Sequence, residues 1–148
     1  MPHTKSRNDA CPLCEGALTL VSEDRAVAVG RRSAVVRDEF YRCDSCGEEL
    51  YAPGQMNASM RRASDRIREA EGLLLPDEIR TIREDLVLSQ QAFETLLGVG
   101  VKTVVRWEKG TVFQNKATDS LIRVLAAFPS AAAFLAQRHG VKLSSGLA

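Results

Sequence analysis

The chain has 148 residues, and its 20 Lys and Arg against 19 Asp and Glu leave a formal charge of +1. That length admits one ordinary domain or two small ones and excludes a large catalytic barrel, while the near-neutral balance confines any nucleic-acid contact to a local patch. With 45% hydrophobic and 26% charged residues the composition is globular; apolar runs such as Ala131 to Ala136 fall far short of the roughly 20 residues of a membrane span, and the polar opening MPHTKSRNDA has no apolar signal core. A soluble, cytoplasmic protein is expected, without a membrane partner.

Residues 1–10 read as a disordered tail in which His3 has no ligand role. Next come two C-x-x-C knuckles, Cys11 and Cys14 in CPLC and Cys43 and Cys46 in CDSC, with 28 residues between Cys14 and Cys43. Each x-x turn brings two sulfurs to one side of the backbone, so two knuckles deliver four thiolates to one tetrahedral point. Zn²⁺ accepts four such ligands at about 2.3 Å, and a site filled by protein has no open position for substrate water. One structural zinc per chain is expected. A secreted disulfide framework would call for a signal peptide, and a redox C-x-x-C would need only one pair in a βαβ setting. Gly16 and Gly47 follow the knuckles, where a left-handed residue is expected. Between the knuckles Leu18 to Glu23, Val27, Val29, Val35, Val36, Phe40 and Tyr41 mark short strands, with Gly30 to Ser33 as a turn. Residues 11–54 therefore form a small antiparallel zinc ribbon.

Residues 55–74 form a linker helix. Met56, Met60, Ala63, Ile67 and Ala70 make an apolar stripe with Arg61, Arg62, Asp65, Arg66 and Arg68 mostly opposite. Gly72 ends this helix and Pro76 begins the next. From 75 to 140 every segment has helical period. Ile79, Ile82 and Leu86 face inward in the first helix. Ser89 caps a second that turns Ala92, Phe93, Leu96 and Leu97 inward. Gly98, Val99 and Gly100 form a tight turn. A third helix spans Val101 to Lys109, and two more run from Ala117 to Phe128 and Ser130 to Gln137. Residues 141–148 read as a second disordered tail, with His139 in a frayed end. The fold class is α+β in two domains: the small β ribbon, then an all-α domain of about five helices with helix-turn-helix geometry.

The stretch Leu88 to Gly110 resembles the helix-turn-helix of the phage-repressor-like (Xre) family, with matches at Ser89, Gln90, Ala92, Leu97, Gly98, Trp107, Glu108, Lys109 and Gly110. Joined to the double C-x-x-C ribbon, residues 11 to 138 look like the MqsA family of antitoxins with a YgiT-type zinc finger. The resemblance implies a non-enzymatic repressor that binds its own operator through the helical domain. It also implies a toxin, in this family often an mRNA-cleaving one, held by the ribbon. Where related repressors commonly carry Ser, Gln or Asn, this chain has Lys102.

From Val99 to Arg123 five basic residues stand against two acids, whereas Asp77 to Gly98 holds two basic residues against five acids. The helical period puts Val101, Val104 and Glu108 inward and Lys102, Val105, Arg106 and Lys109 outward. Lys102, Thr103 and Arg106 are therefore candidates for base contact, and Val105 for a thymine methyl. Gln90, Gln91, Lys109 and Lys116 suit phosphates. Trp107 belongs to the core, and Glu108 to a structural partnership with an arginine or an N–H. One such motif reads a half-site, so a homodimer on a palindromic double-stranded operator is expected, with Ala131, Ala132, Phe134 and Leu135 as its contact. The alternative is a solitary zinc-ribbon regulator without a toxin. A zinc or thiol enzyme finds neither a His/Glu ligand set nor a spare cysteine.

Overall fold

In the computed structural model residues 10–144 are described, and the expected tails, His3 included, lie mostly outside them. Ala10 bridges Ala17, and Val141 and Leu143 pack against the core. The chain divides into two compact units, Met1–Ile67 and Arg68–Ala148.

In the first unit, β1 (Leu18–Val29) and β2 (Arg32–Cys43) pair antiparallel over their full length, from Leu18 opposite Cys43 to Val29 opposite Arg32. The turn is only Gly30 and Arg31, tighter than expected, with Gly30 at φ +61. β3 (Glu49–Leu50) joins the far side of β2 opposite Tyr41 and Arg42. The strands run unbroken because the charged residues that interrupt the apolar pattern pair with one another. Arg25 meets Glu49 at 2.6 Å and Glu23 at 3.1 Å, and its guanidinium lies 4.0 Å from the centre of the Phe40 ring. Asp38, 1% exposed inside β2, accepts from Tyr51 Oη at 2.6 Å and Ser59 Oγ at 2.5 Å.

That buried carboxylate meets α1 (Gln55–Glu71) through Ser59. The helix turns Ser59, Ala63, Ser64 and Ile67 inward, while Met56 and Met60 remain 52% and 39% exposed, and Ala70 is exposed. The expected stripe is thus kept at Ala63 and Ile67 and lost at Met56, Met60 and Ala70, while Ser59 goes inward to supply one of the donors that a buried Asp needs. Arg62 Nε donates to Arg37 O at 2.9 Å. Gly72, at φ +70, follows the helix as expected.

The second unit holds α2 (Pro76–Asp85), α3 (Gln90–Leu97), α4 (Thr103–Lys109), α5 (Lys116–Ala127) and α6 (Pro129–His139). Pro76 opens α2, and Glu78 Oε2 accepts the Leu75 N–H at 2.7 Å. Ser89 and Asn115 cap α3 and α5 through their side chains. One apolar cluster runs through all five helices, with Ile79, Phe93, Leu96, Val104, Ile122 and Leu125 at or below 1% exposure. Arg68, expected on the exposed side of α1, is 1% exposed; it donates to the carbonyls of Gly110 and Val112 and lies over the Phe113 ring. His139, expected to fray, closes α6 with Nδ1 3.1 Å from Thr95 O. Among the described residues no single helix is long and apolar enough to cross a membrane.

Candidate functional site: a four-cysteine centre and an exposed helical face

The pairing of Leu18 with Cys43 brings the start of β1 and the end of β2 together, and with them the two knuckles. The first is closed by Glu15 N–H on Cys11 O and Cys11 N–H on Gly16 O, at 2.8 and 2.9 Å; the second by Gly47 N–H on Cys43 O at 3.0 Å. Cys11 and Cys46 Sγ lie 3.6 Å apart, Cys14 and Cys43 Sγ 3.4 Å, and all four sulfurs fall within 4.8 Å of one another. A tetrahedron with metal–sulfur bonds of about 2.3 Å would place sulfurs roughly 3.8 Å apart, so the four thiols fit one thiophilic cation. Cys11 and Cys43 are buried, Cys14 and Cys46 exposed.

The two glycines differ from each other. Gly47 takes φ +76, as expected, but at the first knuckle the left-handed residue is Glu15, at φ +62. Gly16 is needed for space instead: a Cβ there would sit 2.7 Å from Ser45 Oγ and 2.8 Å from Cys43 Sγ.

The thiols are not equivalent. Backbone N–H groups of Cys46 and Ser45 favour the Cys43 thiolate and lower its pKa to about 6. For Cys46 the Glu48 N–H acts in the same direction, but the Cys14 sulfur and burial outweigh it and push the thiol up to about 12. Cys14 is raised as well: the Gly16 N–H opposes the rise, and the Cys43 sulfur drives it. Cys43 is thus favoured as a thiolate while Cys14 and Cys46 are disfavoured, as expected where like charges would share one point. A divalent cation removes that opposition.

In the second unit the turn between α3 and α4 is Gly98 to Lys102, longer than the three residues expected. Val101 and Lys102 belong to it, and Val101 is 77% exposed rather than inward. Lys102 holds φ +68, a left-handed conformation that is uncommon outside Gly and Asn. From Thr103 onward the expected faces appear. Val104, Trp107 and Glu108 are buried; Arg106 and Lys109 are exposed, as is Lys116 at the start of α5; Thr103 and Val105 are half-buried. Glu108 has the partnership expected of it, accepting from Arg83 Nε at 2.5 Å and Gln90 Nε2 at 2.6 Å. The Gln90 side chain, taken as a phosphate donor, is therefore engaged within its own unit, while Gln91 is exposed. Arg123, one of the five basic residues of this segment, is held by Asp119 at 2.8 Å and by Gly72 O at 3.1 Å.

Against this geometry the sequence matches the family model described as the antitoxin component of a bacterial toxin-antitoxin system, MqsA, over residues 9–133. The chain belongs to the MqsA antitoxin family. The match reaches through both units, from the first knuckle into α6, and gives this MqsA-family chain an antitoxin role at the level of the family. No curated protein matches the sequence significantly.

The residues expected at a dimer contact part company. Ala132 is 0% exposed in the core of its own unit, and Ala131 and Leu135 pack against that core, because α6 uses its small residues to approach α3 and α5. Phe134 alone of the four stands out, at 66% exposure, with Phe128 at 60% and Val124 at 43% also exposed on α5 and α6 and their junction. Sequence reasoning missed Asp38, Glu94 and Arg68 as organising groups. For Asp38 and Glu94 the available signal was a charge at an inward position of an otherwise apolar strand or helix face; Arg68, opposite the apolar stripe, gave none.

Proposed function

We propose that this MqsA-family chain is a homodimeric repressor-antitoxin whose four cysteines hold one structural Zn²⁺. In this reading α3 and α4 form a helix-turn-helix that reads a palindromic operator, and the sheet unit grips a toxin in the cytoplasm. The observation that carries the DNA part is the two-sided character of α4. Val104, Trp107 and Glu108 anchor one side in the core, leaving Arg106 and Lys109 in solvent beside the exposed Lys102. Arg106 suits the forked contact to a guanine edge, with Lys102 and Thr103 as further base contacts and Val105 against a thymine methyl. Lys109, Lys116 and Gln91 suit phosphates, and Gln90 contributes through its backbone N–H at the start of α3.

For the toxin, β1 ends the sheet order among the described residues, and an open groove of about 490 Å³ is lined by Arg25, Val27, Tyr51, Met56 and Met60. A free strand edge beside flexible methionines suits an added strand from a partner protein. For the dimer, exposed Phe128 and Phe134 supply the apolar surface that two-fold pairing would bury.

The decisive experiment is titration of the full-length chain against a duplex taken from directly upstream of its own reading frame. Arg106→Ala is expected to cost about 1 to 3 kcal/mol of binding with the toxin complex unaffected. Unchanged affinity of that variant refutes the assignment of α4 to the groove. Co-purification with the product of a neighbouring reading frame tests the toxin separately.

A further inference from the structure

Helix α4 has only seven residues, and its N-cap, Lys102, makes no side-chain hydrogen bond to the first turn. A helix this short leaves much of its backbone without internal partners and depends on outside groups to hold it. The acceptor comes from the preceding helix: Glu94 Oε2 accepts the Val104 N–H at 3.0 Å. Glu94 is 6% exposed and shares its face of α3 with the apolar Phe93, Leu96 and Leu97. Its backbone carbonyl in turn accepts the N–H groups of Gly98 and Val99, so one residue is bonded to both ends of the turn between α3 and α4. A buried carboxylate is costly unless hydrogen-bonded, and the amide end of a helix is a favourable partner for it. Val104, whose N–H it receives, is 0% exposed and immediately follows Lys102 and Thr103.

We propose that Glu94 is the positioning residue of the DNA-reading surface, capping α4 from α3 and fixing where Lys102, Thr103 and Arg106 stand. The inference rests on the DNA-binding function proposed above and names the group that sets its geometry. What matters is an acceptor at the correct reach rather than the negative charge. Gln preserves reach and loses charge; Asp preserves charge and shortens the reach by one methylene.

The test uses the full-length, metal-loaded protein and two labelled duplexes, one from directly upstream of its own reading frame and one a scrambled sequence of equal composition. Glu94→Gln is expected to keep the ratio of the two affinities within about twofold, because its side-chain carbonyl accepts the same N–H. Glu94→Asp is expected to lower that ratio by about tenfold while binding to the scrambled duplex stays unchanged, since a small displacement of positioned groups is costly. Amide exchange at Val104 should be slow in wild type and Glu94→Gln and fast in Glu94→Asp, below the melting temperature of each. An Asp variant that keeps the ratio, a Gln variant that loses it, or equal losses on both duplexes overturns the proposal. A wild-type chain with no preference for its upstream duplex overturns the DNA-binding function itself, and this inference with it.

Discussion

Among the described residues the sheet unit buries the apolar Val36, Phe40, Ala63 and Ile67 beside Cys11 and Cys43, whereas the helical unit buries thirteen side chains in one continuous cluster. The first compensates with polar order: the Asp38, Tyr51 and Ser59 hydrogen bonds, the arginines stacked on Phe40, and four thiols at one point. The second depends on apolar area in the ordinary way. A small unit with little core needs a metal or crosslink, while a five-helix core of this size does not. The two units should therefore fail under different insults.

Metal removal is expected to have the largest effect. Chelation, or Cys43→Ser, should abolish the fold of the sheet unit, with a loss on the order of 10 kcal/mol, while α2 to α6 keep their structure. Hydrogen exchange mass spectrometry checks this directly: the hairpin from β1 to β2 should lose protection and the helical cluster should retain it. A hairpin that stays protected without metal would break the comparison.

The reciprocal insult is Phe93→Ala, at a side chain with 0% exposure. It should cost about 3 to 5 kcal/mol, lower the thermal midpoint of the helical unit, and leave metal content per chain unchanged. Simultaneous loss of metal would mean that the units fold as one.

Acid supplies the smallest and sharpest contrast. Burial pushes the Asp119 carboxyl up, but the Leu74 N–H, Arg123 and Gln114 outweigh it and leave its pKa below the ordinary 3.8. A carboxyl lowered by folding contributes stability that is full above 3.8 and is lost as pH falls through the lowered value. Asp119→Asn should flatten that acid limb of the helical unit and shift its midpoint at neutral pH by less than Phe93→Ala. Unfolding curves of the two proteins from pH 6 down to about 2 measure it, and an unchanged acid limb would remove Asp119 from the account.

Much of this chain was legible without coordinates. The spacing of Cys11, Cys14, Cys43 and Cys46 encodes a shared point, because a C-x-x-C turn has few ways to aim its sulfurs. The helical period around Phe93, Leu96 and Val104 names core positions that are observed, although the same period also turned Val101 inward, where it is exposed. What remained hidden was polar and long-range. Asp38 accepts from Ser59 of α1, Glu108 engages Gln90, and Glu94 caps α4 across a turn. Ala132 goes to its own core rather than to a partner. Hydrophobic pattern is a local property that each residue carries with it, whereas a buried charge is tolerable only where the fold brings a donor to it. That meeting of groups distant along the chain is decided by tertiary structure alone.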